Sequence, residues 1–309
     1  MLKPVYVFSG FLDSGKTTAI KNTLYDPRFN QGESTLIICI EQGDEEYDKK
    51  FLKATTSDVV YLDSFMDLTI DKQKELDKQY DPDRIFVEFN GMEDDNVFYQ
   101  NGFIQNWELA QTLTTCDASK FQLHMQNMRQ FMYNHMVNAE VAILNRADDV
   151  DKRYLRNNLK SINQYLEIIF EDKDGNVSNK IEDELFDVSH DLYIEDVDYG
   201  LWYMDQLDNP RKYNGKTVTI KVKKLDEIEG YPDVAIVGRR AMVCCANDIA
   251  DIALPCEGVE KYRLKEDQYY LITAKISIAV DQQGYERCVL TATDILEAEN
   301  IENDLVTFN

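Results

Sequence analysis

At 309 residues, with 44% hydrophobic and 29% charged residues, the chain has material for one large domain or two ordinary ones, and its composition excludes a disordered protein. A formal net charge of −24 argues against nucleic acid and anionic membrane surfaces as partners, because both reward clustered Lys and Arg. No apolar run approaches the ~20 residues of a membrane span. Met1-Leu2-Lys3-Pro4 leads straight into a strand pattern without a signal peptide, and Cys39, Cys116, Cys244, Cys245, Cys256 and Cys288 form no Cys-x-x-Cys pair. A reduced, cytoplasmic protein that is not embedded in a membrane is expected.

The apolar run 5–9 opens onto Gly10-Phe11-Leu12-Asp13-Ser14-Gly15-Lys16-Thr17-Thr18, and a helical pattern covers 17–24. Strand, Gly-x-x-x-x-Gly-Lys-Thr, then helix is the context in which such a loop cradles phosphates. Its glycines let successive N–H groups point inward, and the helix start adds positive dipole. Lys16 reaches the β/γ-phosphates in such loops and the Thr17 hydroxyl ligates Mg²⁺. Asp13 is an unusual acid inside an anion-binding loop; it caps backbone N–H groups, touches a cation or faces solvent.

Further strand-like runs cover 35–40, 58–62, 84–89, 109–115 and 140–145, and helical patterns cover 48–54, 69–80, 119–137 and 152–169. Alternating α and β with short, fully apolar strands predicts a mostly parallel P-loop NTPase sheet with helices on both faces. The run 84–89 ends on Glu88, followed by Asn90-Gly91, so a carboxylate at a strand tip can hold Mg²⁺ or orient an attacking water. The run 140–145 continues as Asn145-Arg146-Ala147-Asp148, similar to the guanine-reading loop of GTPases, with Arg146 where Lys is usual. Asp148 would accept from the two donors on the guanine edge that adenine lacks.

After the second strand, Glu41-Gln42-Gly43-Asp44-Glu45-Glu46-Tyr47-Asp48 carries five acids in eight residues. It is either a cation-sensitive switch near the γ-phosphate or an acidic loop with Asp48 capping the next helix. Phe121, Met125, Met128, Met132 and Met136 recur at helical spacing and read as core packing rather than soft-metal capture. Beyond residue 190 an acidic segment with Trp202 and Tyr203 gives way to runs at 217–223, 233–245, 252–256, 269–280 and 287–296. Five strands in so short a span predict a small β-rich domain, an OB-like barrel or a sandwich. The expected organisation is a GTPase domain at 1–190, a linker at 191–213 and a β-rich C-terminal domain at 214–309. Burial as small hydrophobes is the default for Cys244, Cys245 and Cys256; one of the adjacent pair with Cys256 is the candidate transition-metal site.

With these motifs in order, the first ~190 residues resemble the CobW-type GTPases, in the group of P-loop metallochaperone GTPases that also holds HypB and UreG. The residues that carry it are Gly10 to Thr18, Glu88 to Gly91, Asp117-Ala118 and the stretch from Gly43 to Asp48. A Cys-x-Cys-Cys motif common in such proteins is replaced by Leu62-Asp63-Ser64-Phe65-Met66, and the C-terminal part looks like a β domain of bacterial proteins associated with permeases. The resemblance implies GTP and Mg²⁺ as cofactors and Zn²⁺, Co²⁺ or Ni²⁺ as cargo. It also implies GTP/GDP, a metal-receiving protein or permease, and a nucleotide-dependent homodimer as partners. In that reading Lys16 and Glu88 are catalytic, Gly10, Ser14, Gly15, Lys16, Thr17 and Thr18 cradle phosphates, Thr17 and Glu88 manage Mg²⁺, and Asn145 and Asp148 read guanine. Turnover would be slow without a partner, because no arginine finger is assignable. The alternative is a regulatory GTP switch that binds a protein through its β domain and carries no metal; an ATP-dependent kinase is disfavoured by Asn145 to Asp148.

Overall fold

The computed structural model describes residues 2–41, 43, 45–93, 102–178, 185–242, 249–301 and 304–306. The chain divides into two compact units: Met1–Leu159 with Asn163–Lys180, and Lys160–Ile162 with Ile181–Asn309.

The first unit holds seven strands: β1 (Lys3–Ser9), β2 (Thr35–Cys39), β3 (Ser57–Tyr61), β4 (Arg84–Glu88), β5 (Trp107–Asp117), β6 (Val141–Asn145) and β7 (Glu167–Phe170). Their order across the sheet is β3-β2-β4-β1-β5-β6-β7, and every pairing is parallel. Its helices are α1 (Lys16–Tyr25), α2 (Lys49–Ala54), α3 (Ile70–Tyr80), α4 (Phe121–Asn127), α5 (Arg129–Val137) and α6 (Lys152–Ile162). The period of two in the strands supplies two cores. Val5, Val7, Leu36, Ile38, Ile85 and Val87 pack on one face with Phe65, Leu76 and Trp107. Phe8, Ile37, Cys39 and Phe86 pack on the other with Ile20 and Leu24 of α1 and with Tyr47 and Phe51. By the same alternation Glu88, two residues beyond Phe86, falls on the α1 face.

Two predicted helices are revised. The pattern over 119–137 is interrupted at Met128, whose backbone (φ −135°, ψ 32°) ends α4 and begins α5; Phe121, Met125, Met132 and Met136 are core residues. The pattern over 152–169 stops at Asn163, which is extended and donates its side-chain amide to the carbonyl of Ala139 at 2.8 Å, after which β7 forms. Helical spacing in the sequence does not register such a cap, so the edge strand stays hidden.

In the second unit, β9 (Thr217–Glu227), β10 (Val234–Met242), β11 (Ile249–Glu257), β12 (Tyr269–Val280) and β13 (Glu286–Ala298) form a closed barrel. Its ring runs β9-β10-β11-β13-β12 and back to β9, with β11–β13 the parallel pair. That five-stranded Greek-key order is OB-like. Two short strands, β8 (Leu192–Tyr193) and β14 (Leu305–Val306), extend it. Residues 191–213, read from the sequence as a linker, contribute β8, α7 (Tyr199–Asp208) and α8 (Pro210–Tyr213) to this unit. Tyr199, Trp202 and Tyr213 are fully buried in the barrel core, and Tyr199 donates its hydroxyl to the Ile252 carbonyl at 2.9 Å.

Candidate nucleotide site

Parallel strands present their carboxyl ends on one edge, and each site residue leaves the sheet there. The loop Gly10 to Gly15 follows β1; Cys39 ends β2, Glu88 ends β4, Asp117 ends β5 and Asn145 ends β6. In register, Glu88 lies beside Phe8 on one side and Cys39 on the other, and Asp117 beside Asn145.

The loop is held from behind and from one side. Ser14 Oγ and Thr115 Oγ1 are 2.6 Å apart, and Asn145 Nδ2 donates to the Ser14 carbonyl at 2.6 Å. The Asn145 Oδ1 atom is buried and has no donor among the described residues. Gly91 lies so close that a β-carbon there would stand 2.2 Å from the Gly10 carbonyl oxygen and 2.8 Å from Phe11 Cα. His135, buried on α5, donates Nε2 to the Gly91 carbonyl at 3.0 Å and packs its ring on Phe11. Asp13 adopts φ +59°, a left-handed conformation that Asp tolerates better than most side chains. Its carboxylate is exposed, and its carbonyl accepts from Arg146 Nη1 at 3.4 Å.

Lys16 is 4% exposed, and its ammonium donates to the carbonyls of Gly10 (2.8 Å) and Phe11 (2.9 Å) and to Glu41 Oε2 (2.6 Å). Thr18 Oγ1 donates to Glu45 Oε2 at 2.6 Å, and Lys21 to Glu45 Oε1 at 2.8 Å. Asp48 accepts from the Phe51 N–H at 2.8 Å as the N-cap of α2. The acidic stretch therefore caps a helix and also grips two side chains of the phosphate loop.

Glu88 is 2% exposed. Thr17 Oγ1 donates to its Oε1 at 2.5 Å; Tyr47 donates its hydroxyl to Oε2 at 2.5 Å, and the Cys39 thiol lies 3.6 Å from the same oxygen. Burial raises the carboxyl pKa, with the hydrogen bonds from Thr17 and Tyr47 working against that rise. Burial likewise pushes the Cys39 thiol up to about 12. A buried carboxylate oxygen beside a threonine hydroxyl is a hard-oxygen pair that suits Mg²⁺. A cavity of about 340 Å³ opens here, lined by Asp13, Lys16, Thr17, Glu41, Glu45 and Glu88 among others.

Beyond β6, Arg146 adopts φ +53° and donates Nη1 to Asp117 Oδ2 at 2.6 Å. Burial acts to raise the Asp117 carboxyl, yet hydrogen bonds from Ser119 and Arg146 outweigh it and hold that pKa below the usual range. Asp148 is exposed and accepts from the Lys173 N–H at 2.9 Å. Asn145 lines a cleft of about 400 Å³ with Thr18, Asn22 and Glu171, whereas Asp148 lines an adjacent one of about 460 Å³ with Ser119 and Val150. Arg146 and Lys173 line both.

Of the candidate transition-metal residues, Cys244 and Cys245 lie outside the described residues. Cys256 is fully buried in the barrel core, and burial raises its thiol to about 12. The described residues contain no group of three or more His, Cys, Asp or Glu arranged to hold a metal ion. None of their helices is long and apolar enough to cross a membrane.

A central phosphate-type loop, a buried acid at the tip of the neighbouring strand and an Asn-x-x-Asp turn two strands away define a P-loop nucleotide-binding protein. Residues 4–170 match the sequence profile of the CobW/HypB/UreG nucleotide-binding domain, and the chain belongs to that family of P-loop GTPases. Residues 170–306 match the DUF1980 C-terminal domain. No curated protein matches the chain. Among solved structures, the hydrogenase maturation factor HypB from Archaeoglobus fulgidus is 16% identical, with 55% of this chain and 81% of that one covered at a TM-score of 0.39. A Zn(II)-bound triple mutant of the YjiA GTPase is 15% identical over 94% and 89%, at 0.44. HypB from Helicobacter pylori in complex with nickel is 13% identical over 54% and 77%, at 0.34.

Proposed function

We propose that this protein is a Mg²⁺-dependent GTPase of CobW type that couples GTP hydrolysis to the handling of zinc, cobalt or nickel in the cytoplasm. The observation that carries the enzymatic half is the Thr17–Glu88 pair, 2.5 Å apart at the mouth of the phosphate loop. Mg²⁺ held there would neutralise charge developing on the transferred phosphoryl group. The residues do the rest by positioning. Gly10, Ser14, Gly15 and Thr18 present the loop to the phosphates, Lys16 supplies a cation, and Glu88 orients Mg²⁺ and the attacking water. Asn145 braces the loop through the Ser14 carbonyl, and Asp148 accepts from the donor edge of guanine. The Arg146 stem covers the base. The protein should therefore bind GTP over ATP, and Asp148→Asn should narrow that preference by roughly tenfold or more, since a charged hydrogen bond contributes about 1.5–3 kcal/mol. Competition titrations of fluorescent GDP with both triphosphates measure this; unchanged selectivity removes Asp148 from the reading.

One observation favours the second reading, a regulatory GTP switch whose β domain binds a protein partner without carrying metal. The Cys256 thiol is sealed in the barrel core and poorly placed to ligate. Calorimetric titration with Zn²⁺, Co²⁺ and Ni²⁺, with and without GTP, separates the two. Sub-micromolar, nucleotide-dependent binding supports cargo delivery to a metal-receiving protein or permease; its absence leaves the switch. Sedimentation with GDP and with GTP tests the nucleotide-dependent homodimer.

A further inference from the structure

We propose that Tyr47 is a positioning residue for Glu88, through which the acidic stretch after β2 sets the carboxylate that manages Mg²⁺ and water. This inference rests on the GTPase reading. Glu88 has two oxygens with separate duties. Its Oε1 meets Thr17, and its Oε2 is taken by the Tyr47 hydroxyl at 2.5 Å with the Cys39 thiol beyond. With Oε2 tethered, the carboxylate cannot rotate about its terminal torsion, which is otherwise broad and soft. Oε1 is thereby the oxygen offered to the phosphate side.

The tether is rigid for identifiable reasons. Tyr47 is 6% exposed, and its ring packs on Phe51 of α2 at 5.8 Å and beneath the Lys21 ammonium at 5.9 Å. The phenol hydroxyl is the donor and the carboxylate the acceptor in this contact. The same stretch places Glu41 on Lys16 and Glu45 on Thr18. The phosphate loop therefore meets Glu88 by two routes, directly through Thr17 and, through Glu41 and Glu45, by way of the stretch that carries Tyr47.

Tyr47→Phe keeps the ring and its packing and removes the hydroxyl. The expected result is a kcat lower by about 10- to 100-fold, the equivalent of one hydrogen bond to a charged group, with KM for Mg²⁺-GTP rising only several-fold, in step with the loss of Mg²⁺-dependent affinity. A binding readout independent of turnover accompanies it. The ratio of mant-GTP affinities in Mg²⁺ and in EDTA should fall several-fold, while the affinity in EDTA stays at the wild-type value. Phe51→Leu, which loosens the support of the ring but keeps the hydroxyl, should lower thermal stability and cost less in kcat and in the Mg²⁺ ratio than Tyr47→Phe does. Wild-type kcat and Mg²⁺ ratio in Tyr47→Phe overturn the proposal. A wild-type protein lacking Mg²⁺-dependent GTP binding overturns the GTPase reading together with it, which distinguishes the two failures.

Discussion

Lys16→Ala should weaken GTP binding by at least ~100-fold, because in the proposed reading it would remove two charge-assisted hydrogen bonds to phosphate oxygens, at about 1.5 kcal/mol or more each. The geometry adds a second penalty. Glu41 Oε2 is 2.6 Å from the Lys16 ammonium, and both side chains are largely buried. Removing the lysine leaves a carboxylate facing the phosphates with no cation between them. The double variant Lys16→Ala/Glu41→Gln should therefore recover part of the affinity, although removing Glu41 restores no contact to the nucleotide. Fluorescence titration with mant-GTP reads both effects. A Lys16→Ala protein that binds as tightly as wild type would show that the phosphates bind elsewhere.

Gly91→Ala should remove nucleotide binding while leaving a folded protein. The added β-carbon would meet the Gly10 carbonyl oxygen at 2.2 Å, the Gly10 carbonyl carbon at 2.7 Å and Phe11 Cα at 2.8 Å. All three are backbone atoms of the phosphate loop, so no side chain can swing away. Overpacking of this kind costs about 1–3 kcal/mol, enough to lower the melting temperature by a few degrees. The larger effect is on function, since the loop must move by more than about half an ångström and reacting geometries tolerate roughly that much. A thermal melt alongside a GTP titration separates the two effects. Full GTP binding by the Gly91→Ala protein would mean that the loop and the Glu88 turn are not coupled.

The sheet and the phosphate loop were legible because their signals are local. Strand, glycine loop, Lys16 and Thr17 occupy one continuous stretch, and the alternation that buries Val5, Val7 and Phe8 is visible residue by residue. Glu88 was legible as an acid ending an apolar run. What surrounds it was not. Tyr47 reaches Glu88 across 41 residues, Glu41 reaches Lys16 across 25, and Thr115 meets Ser14 across 101. Such pairings depend on which strands become neighbours, and strand order is not written in any one segment. The single buried aromatic in an acidic run was the only signal for Tyr47. The same limit hides the partners of Asn145 and Asp148, which meet the Ser14 carbonyl across 131 residues and the Lys173 N–H across 25. The five barrel strands were legible by turn spacing, but their closure was not, because it rests on the β9–β10 pairing.

The contacts of Glu41 and Glu45 also bear on how fast and how tightly the site fills. Each carboxylate occupies a donor of the loop, the Lys16 ammonium or the Thr18 hydroxyl, so in the proposed GTPase reading the chain would carry its own competitor for the triphosphate. Loading is then a replacement of one anion by another, and the observed dissociation constant is the intrinsic one divided by the fraction of molecules in which the acids have let go. If the acids are in place in about 99 of 100 molecules, affinity is lower by about 100-fold. Anything that draws the two acids away, such as a cation or a basic partner, would act as an accelerator of loading without touching the nucleotide.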